Sequence, residues 1–203
     1  MDFVAYLFGY DTQNHKIKNI RELESELLEI YERREKDKVE KLFMEMLDDE
    51  FSMNSVGTSG PLFCFVLDLK PFLTVNIIKR MIDGGLDFGH IHMRGYAHRK
   101  MFRELEFNYS DILWGIFIFI CQHSNFVVTL PPDELFDILF GKIMIEKGKI
   151  TFEFEPNIMV FKIMLNYDKR NLIKKTFLLP ENASIRECVK QNFPEISNAI
   201  INN

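Results

Sequence analysis

The sequence predicts a mainly α protein of stacked helix–loop–helix units, ending in an irregular C-terminal part that contains a β-hairpin. A small α+β domain is the alternative. Three observations carry this reading. Apolar residues recur with a period near 3.6 in the first third of the chain. One segment repeats at an offset of 35 residues. From Ile150 the apolar period falls to two. On these grounds residues 1–36 form an N-terminal helical cap, 37–140 the helical repeats, and 141–203 a hairpin followed by C-terminal helices.

Composition narrows the class. The 203 residues carry 25 Lys and Arg against 30 Asp and Glu, a net charge of −5. That balance argues against a dedicated nucleic-acid binder or a protein of anionic membranes, which would show a basic stripe. With 47% hydrophobic and 27% charged residues the chain has the means to build a core. Its 20 phenylalanines bring packing and no chemistry. Cys64, Cys121 and Cys188 are widely spaced among apolar neighbours, which points to small buried hydrophobes in a reducing cytoplasm or nucleus. The apolar start, Met1 to Phe8, lacks the cationic region and cleavage site of a signal peptide. The most apolar run, Ile112 to Cys121, is about half the length of a membrane span.

The elements follow in order. From Ile20, the stripe Leu23, Leu27, Ile30 and Tyr31 predicts a helix, and the charged stretch 32–38 a break. Asp37 and Glu40 have capping-box spacing ahead of Val39, Leu42, Phe43, Met46 and Leu47. The segment 48–61 is a loop by its Gly, Ser, Asn and Pro content. Pro61 suits the first turn of a helix over Leu62–Leu67, and Lys70-Pro71-Phe72 breaks it. Thr74 caps a helix from Val75 to Asp83, stopped by Gly84-Gly85. Ser110-Asp111 opens a helix that is apolar on every side and hence expected to be wholly buried. Pro131-Pro132-Asp133 opens another through Phe140, with Leu135, Phe136, Leu139 and Phe140 facing the core. Ile150, Phe152 and Phe154 alternate with polar residues, Pro156-Asn157 reads as a turn, and Ile158–Leu165 and Leu172–Leu179 read as further strands.

The repeat is visible when residues 41–48 are set under 76–83. Leu42 meets Ile77, Phe43 meets Ile78, Met46 meets Met81, Leu47 meets Ile82 and Asp48 meets Asp83. In the same register Met53 meets Phe88 and Gly60 meets Gly95. A unit of this length cannot bury its apolar stripe alone, so copies must stack.

These residues resemble the ankyrin-repeat family, whose unit of about 33 residues opens with a Thr-Pro-Leu-His-like tetrapeptide. Asn76 to Phe88 is similar to the second helix and its Gly-x-Asp-hydrophobic exit, and Gly60-Pro61-Leu62-Phe63 to a worn tetrapeptide. Ala183 to Ile196 is similar to a terminal helix pair, with Ser184 and Glu187 as a capping box. Gly95-Tyr96-Ala97-His98-Arg99 departs from the pattern by losing Pro-Leu and setting Arg99 where a leucine belongs, and no copy can be laid between Met101 and Pro132. Divergent repeats in a Phe-, Ile- and Asn-rich chain are similar to those of viral or parasite proteins. The resemblance implies no catalysis and no cofactor. It implies a protein partner gripped by the fingers and the concave helix face, an inhibitor of a host or cellular protein being one form. The finger candidates are Met53, Asn54, Ser55 and Val56, then Phe88, His90, His92, Met93, Arg94 and Tyr96. Arg94 and Tyr96 are types that anchor interfaces, and Met93 can repack against different partners.

Tests for chemistry give weaker candidates. His90, His92 and His98 form the one histidine cluster, and with Glu104 or Glu106 they are the basis of a metal-enzyme alternative; the spacing matches no established signature. The Gly57-Thr58-Ser59-Gly60 loop before a helix has the make-up of an anion cradle but lacks the lysine of a P-loop. Cys64 with His98 would be the nucleophile–base pair of a thiol enzyme. The Phe content motivates a second alternative, a structural subunit of a larger assembly. Neither a bound metal nor a small-molecule substrate is expected.

Overall fold

The computed structural model describes residues 17–107, 110–141, 143–146, 149–153 and 156–202. Expectations that fall on Met1–Phe8, Phe154 or the Asn108-Tyr109 stretch lie outside the described residues. Among the described residues the protein is mainly helical, with eleven α-helices and two small antiparallel hairpins, one of them C-terminal. No helix is long and apolar enough to cross a membrane among them. Contacts divide the chain into one unit ending at Leu86 and another beginning at Asp87.

In the first unit, helix α1 spans Ile20–Glu32. Asn19 caps it by accepting from the Glu22 amide at 3.0 Å, and the Glu22 carboxylate accepts from the Lys18 amide in return. Leu23, Leu27 and Ile30 form its buried stripe. The chain turns at Arg34, whose φ of 58° ends the helix. Helix α2, Lys36–Lys41, runs on into a π-helical turn at Leu42–Met46. The capping box expected at Asp37 and Glu40 does not form. The helix starts two residues earlier, with Glu35 at the N-cap position and without a side-chain cap. Glu40 instead accepts from the Thr74 hydroxyl at 3.1 Å and the Asn76 amide at 2.7 Å.

Strands β1 (Val56–Gly57) and β2 (Gly60–Pro61) pair around Thr58-Ser59. This is the loop with the make-up of an anion cradle, and it holds an anion of its own chain. The buried Glu24 carboxylate accepts from the Thr58 amide (3.0 Å), the Thr58 hydroxyl (2.6 Å) and the Ser59 amide (3.4 Å). A Cβ on Gly57 would lie 2.0 Å from Glu24 Oε1, so only glycine admits the carboxylate there. Helix α3, Leu62–Asp68, buries six consecutive apolar residues. Helix α4, Val75–Asp83, begins and ends as read from sequence: Thr74 Oγ1 accepts from the Ile77 amide at 3.3 Å, and Gly85 takes a φ of 89°. Ile77, Ile78 and Met81 turn inward, and α4 packs on the π turn at Leu42–Met46.

In the second unit, α5 (Tyr96–Phe107) lies against both α6 (Asp111–His123) and α7 (Leu135–Phe140). Strands β3 (Ile143–Glu146) and β4 (Lys149–Phe152) follow, then α8 (Ile158–Tyr167), which packs on α6. Helices α9 (Leu172–Leu178), α10 (Ala183–Asn192) and α11 (Pro194–Asn202) close the unit.

Four expectations are corrected here. The hairpin partner of β4 is the upstream strand β3, with Ile145 opposite Ile150. Residues 158–165 and 172–178 are helical, not strands. Asn157 caps α8 by accepting from the Met159 amide at 2.9 Å. The buried Asp168 carboxylate accepts from the Leu172 and Ile173 amides at the start of α9. Third, α6 is not wholly buried: Leu113, Ile116, Phe117, Ile120 and Cys121 face inward while Ile112 and Ile118 are exposed. Fourth, Ser184 sits inside α10 instead of capping it, and Glu187 accepts from Gln191.

Removing the Glu24 carboxylate strands two amides and a hydroxyl. Glu24→Ala is expected to cost about 2 to 3 kcal/mol, read as a lowered urea midpoint, and Gly57→Ala to have a similar effect by expelling the carboxylate. Breaking the exposed Lys79–Asp83 pair with Lys79→Ala should move stability by less than about 0.5 kcal/mol.

Candidate functional site

The loop from Asp87 to Tyr96 gathers most of the finger residues, and its shape is set by polar locks and buried rings. Asp87 Oδ1 accepts from the Gly89 amide at 2.8 Å and from the Asn125 side-chain amide at 2.5 Å. Asn125 Oδ1 accepts in turn from the Phe88 amide at 3.1 Å. Hydrogen bonding from Asn125, then from Gly89, holds the Asp87 carboxyl below its ordinary range, with the nearby His90 adding to the effect. Successive turns carry the backbone on: Met93 and Arg94 amides donate to the His90 carbonyl, and the Ala97 amide to the Met93 carbonyl. Gly95 has a φ of 75°, and a Cβ there would meet the Glu134 carboxylate at 2.7 Å.

The core side of the loop is aromatic. Phe88 meets Phe126 edge-on at 5.0 Å between centroids, and Phe126 lies 4.3 Å from the His98 ring. His98 is fully buried, yet both of its nitrogens are satisfied. Nδ1 accepts from the Gly95 amide at 3.3 Å, which assigns the proton to Nε2, 2.7 Å from the Phe126 carbonyl. Burial lowers its pKa to about 4, with the charges of Arg99 and Arg94 adding to the effect.

This arrangement sorts the finger candidates. Met53, Phe88 and Met93 are core residues with at most 1% exposure, because the loops fold back to bury their largest apolar groups. They are corrected from partner contacts to anchors. Asn54 is spent on its own unit, donating to the Gly85 carbonyl at 2.9 Å. His90 is half-buried, its ring 5.4 Å from that of His92, and its Nδ1 has no hydrogen-bond partner among the described residues. His92, Arg94 and Tyr96 are exposed. Ile91, which sequence reasoning passed over, is 83% exposed, more than any other large apolar residue described. Its place between two histidines, off any apolar period, was the available signal.

The chemical candidates read from the sequence are placed as follows. His98 is turned into the core, so the three histidines do not converge, and Glu104 is paired with Lys100 at 3.0 Å. Among the described residues no three His, Cys, Asp or Glu side chains come together in a way that could hold a metal ion. Cys64 is buried, and burial pushes the Cys121 thiol up to about 12, far from a reactive thiolate. A cavity of about 310 Å³ bordered by Phe102, Leu105, Leu139, Val160 and Phe161 has Glu106 as its one ionisable wall residue among the described residues.

No protein-family model matches the chain, and no curated protein and no solved structure matches it.

His98 sets an acid limit on stability. Its folded pKa lies below the unfolded value of 6.5, so the unfolded chain takes up the proton first. The contribution is complete above about pH 6.5 and is lost as pH falls toward 4, amounting to about 3 kcal/mol. Urea titrations across that range should show this slope, and His98→Leu should flatten it.

Proposed function

We propose that this protein is a non-catalytic protein–protein interaction module of ankyrin-like design, working in the cytoplasm or nucleus. The single observation that carries the proposal is the loop Asp87–Tyr96: held from within by Phe88, Met93 and Asn125, it holds Ile91, His92, Arg94 and Tyr96 outside. An isoleucine at 83% exposure on a braced loop, with Tyr96 exposed on the same loop, is apolar surface open to a partner.

The ankyrin-like part of the reading is supported by what recurs one period apart. Leu42 and Ile77, Phe43 and Ile78, and Met53 and Phe88 are buried in register. Gly60 and Gly95 both take positive φ, 106° and 75°. Long-range polar ties keep the same spacing: Glu24 to Thr58 and Glu40 to Thr74 span 34 residues, Arg99 to Glu134 spans 35, and Phe88 to Asn125 spans 37. His98 stands in the last place of the tetrapeptide that opens a repeat, and its ring ties that turn to the segment around Phe126.

The test is a tagged pull-down with mass spectrometry, comparing wild type with Ile91→Glu and with Arg94→Glu/Tyr96→Ala, after circular dichroism confirms folding. A partner captured by wild type and lost by both variants is the expected result. A partner held equally by all three would move the interface off this loop and defeat the proposal.

A further inference from the structure

We infer that the partner of the 87–96 loop is an acidic protein segment carrying an apolar side chain, which packs on Ile91 and Tyr96 while a carboxylate meets Arg94. The inference rests on the interaction-module reading and specifies its partner. It follows from how the charges around the loop are spent. Arg94 is exposed and forms no ion pair among the described residues. The neighbouring Arg99 is neutralised by Glu134, whose carboxylate also lies against Gly95. Lys100 is likewise engaged by Glu104.

The one acid of the loop, Asp87, stays charged but has its Oδ1 engaged by the Asn125 and Gly89 amides, seven positions before Arg94. His90 and His92, with rings side by side, add imidazole donors but no negative charge. The loop therefore presents a guanidinium without an ion-pair partner among the described residues, together with exposed apolar and aromatic side chains, on a chain whose net charge is −5. A basic partner would gain from the bulk of the protein surface and lose at this loop; an acidic one is drawn here and repelled elsewhere. That contrast selects both the partner and its register. Arg also offers a planar fork that grips a carboxylate through two parallel bonds.

The test uses the purified full chain and pools of short fluorescent peptides, read by anisotropy. One pool holds a Leu and a Phe one helical turn apart with all other positions drawn from Glu, Ser and Gly. A second replaces Glu by Lys, and a third keeps Glu but replaces the apolar pair by Ser. The first pool alone should bind. Its affinity should fall about tenfold with Arg94→Glu and about tenfold with Ile91→Ser, and should drop as salt rises from about 50 to about 200 mM. Arg94→Gln, which removes charge without reversing it, should give an intermediate loss. Equal binding of the lysine pool, indifference to Arg94→Glu, or preference for a short single-stranded DNA over the first pool would overturn the inference. If the pull-down yields a partner that Ile91→Glu loses while the first pool fails to bind, the module reading stands and the acidic partner falls. If the pull-down yields no partner dependent on Ile91, the module reading itself falls.

Discussion

Helix length is the constraint from which the remaining architecture follows. The described α-helices run from six to thirteen residues, and isolated helices of that size are marginal in water even for favourable sequences. Each must therefore be held by another segment. Hydrogen bonds within the helix cannot supply that support, and neither can the next element alone, since a single short helix offers one narrow stripe. Several helices lie against an element two places along: α4 on the turn at Leu42–Met46, α5 on α7, and α6 on α8, while α10 and α11 pack on each other and α11 also packs on α8.

Polar groups fix the spacing of that arrangement. The Glu24 carboxylate inside the Thr58-Ser59 turn and the Glu40 carboxylate against Thr74 and Asn76 are side chains reaching one period ahead. In the second unit Asn125 and His98 do the equivalent work for the loop that carries Ile91. A buried donor or acceptor left alone costs more than a formed bond gains. These ties therefore discriminate between registers that apolar contacts alone would tolerate. The same rigidity makes the 87–96 loop a surface with defined shape, so little conformational freedom is lost when something binds it.

What could be read from the sequence was whatever is settled locally. Helix α4 was legible in full because its cap, its stripe and its glycine stop lie within eleven consecutive residues, Thr74 to Gly84. The helical class and the presence of a C-terminal hairpin were legible for the same reason. The segments at 158–165 and 172–179 were misread because helices packed on more than one side lose their polar face, and a β-branched or aromatic run then looks like a strand. Only Asn157 and Asp168, as caps, could have corrected that. Inside the loop, nothing local says which of Phe88, Ile91 and Met93 turns inward: the outcome depends on where Asn125 and Phe126 stand, more than thirty residues later. For the same reason the purpose of Glu24 was hidden, since its partners are 34 and 35 residues away.

The near-constant reach of these ties bears on how the chain is made. During synthesis a protein leaves the ribosome from its N-terminus, and segments fold as their partners emerge. Here the Glu24 carboxylate waits for Thr58, Glu40 for Thr74, Asp87 for Asn125, and Arg99 for Glu134. In each case the wait is 34 to 38 residues, so none of these four ties reaches far along the chain. Folding can then advance step by step with translation, each new period finding its docking surface already built, and little apolar surface is left uncovered while the rest of the chain is still being made.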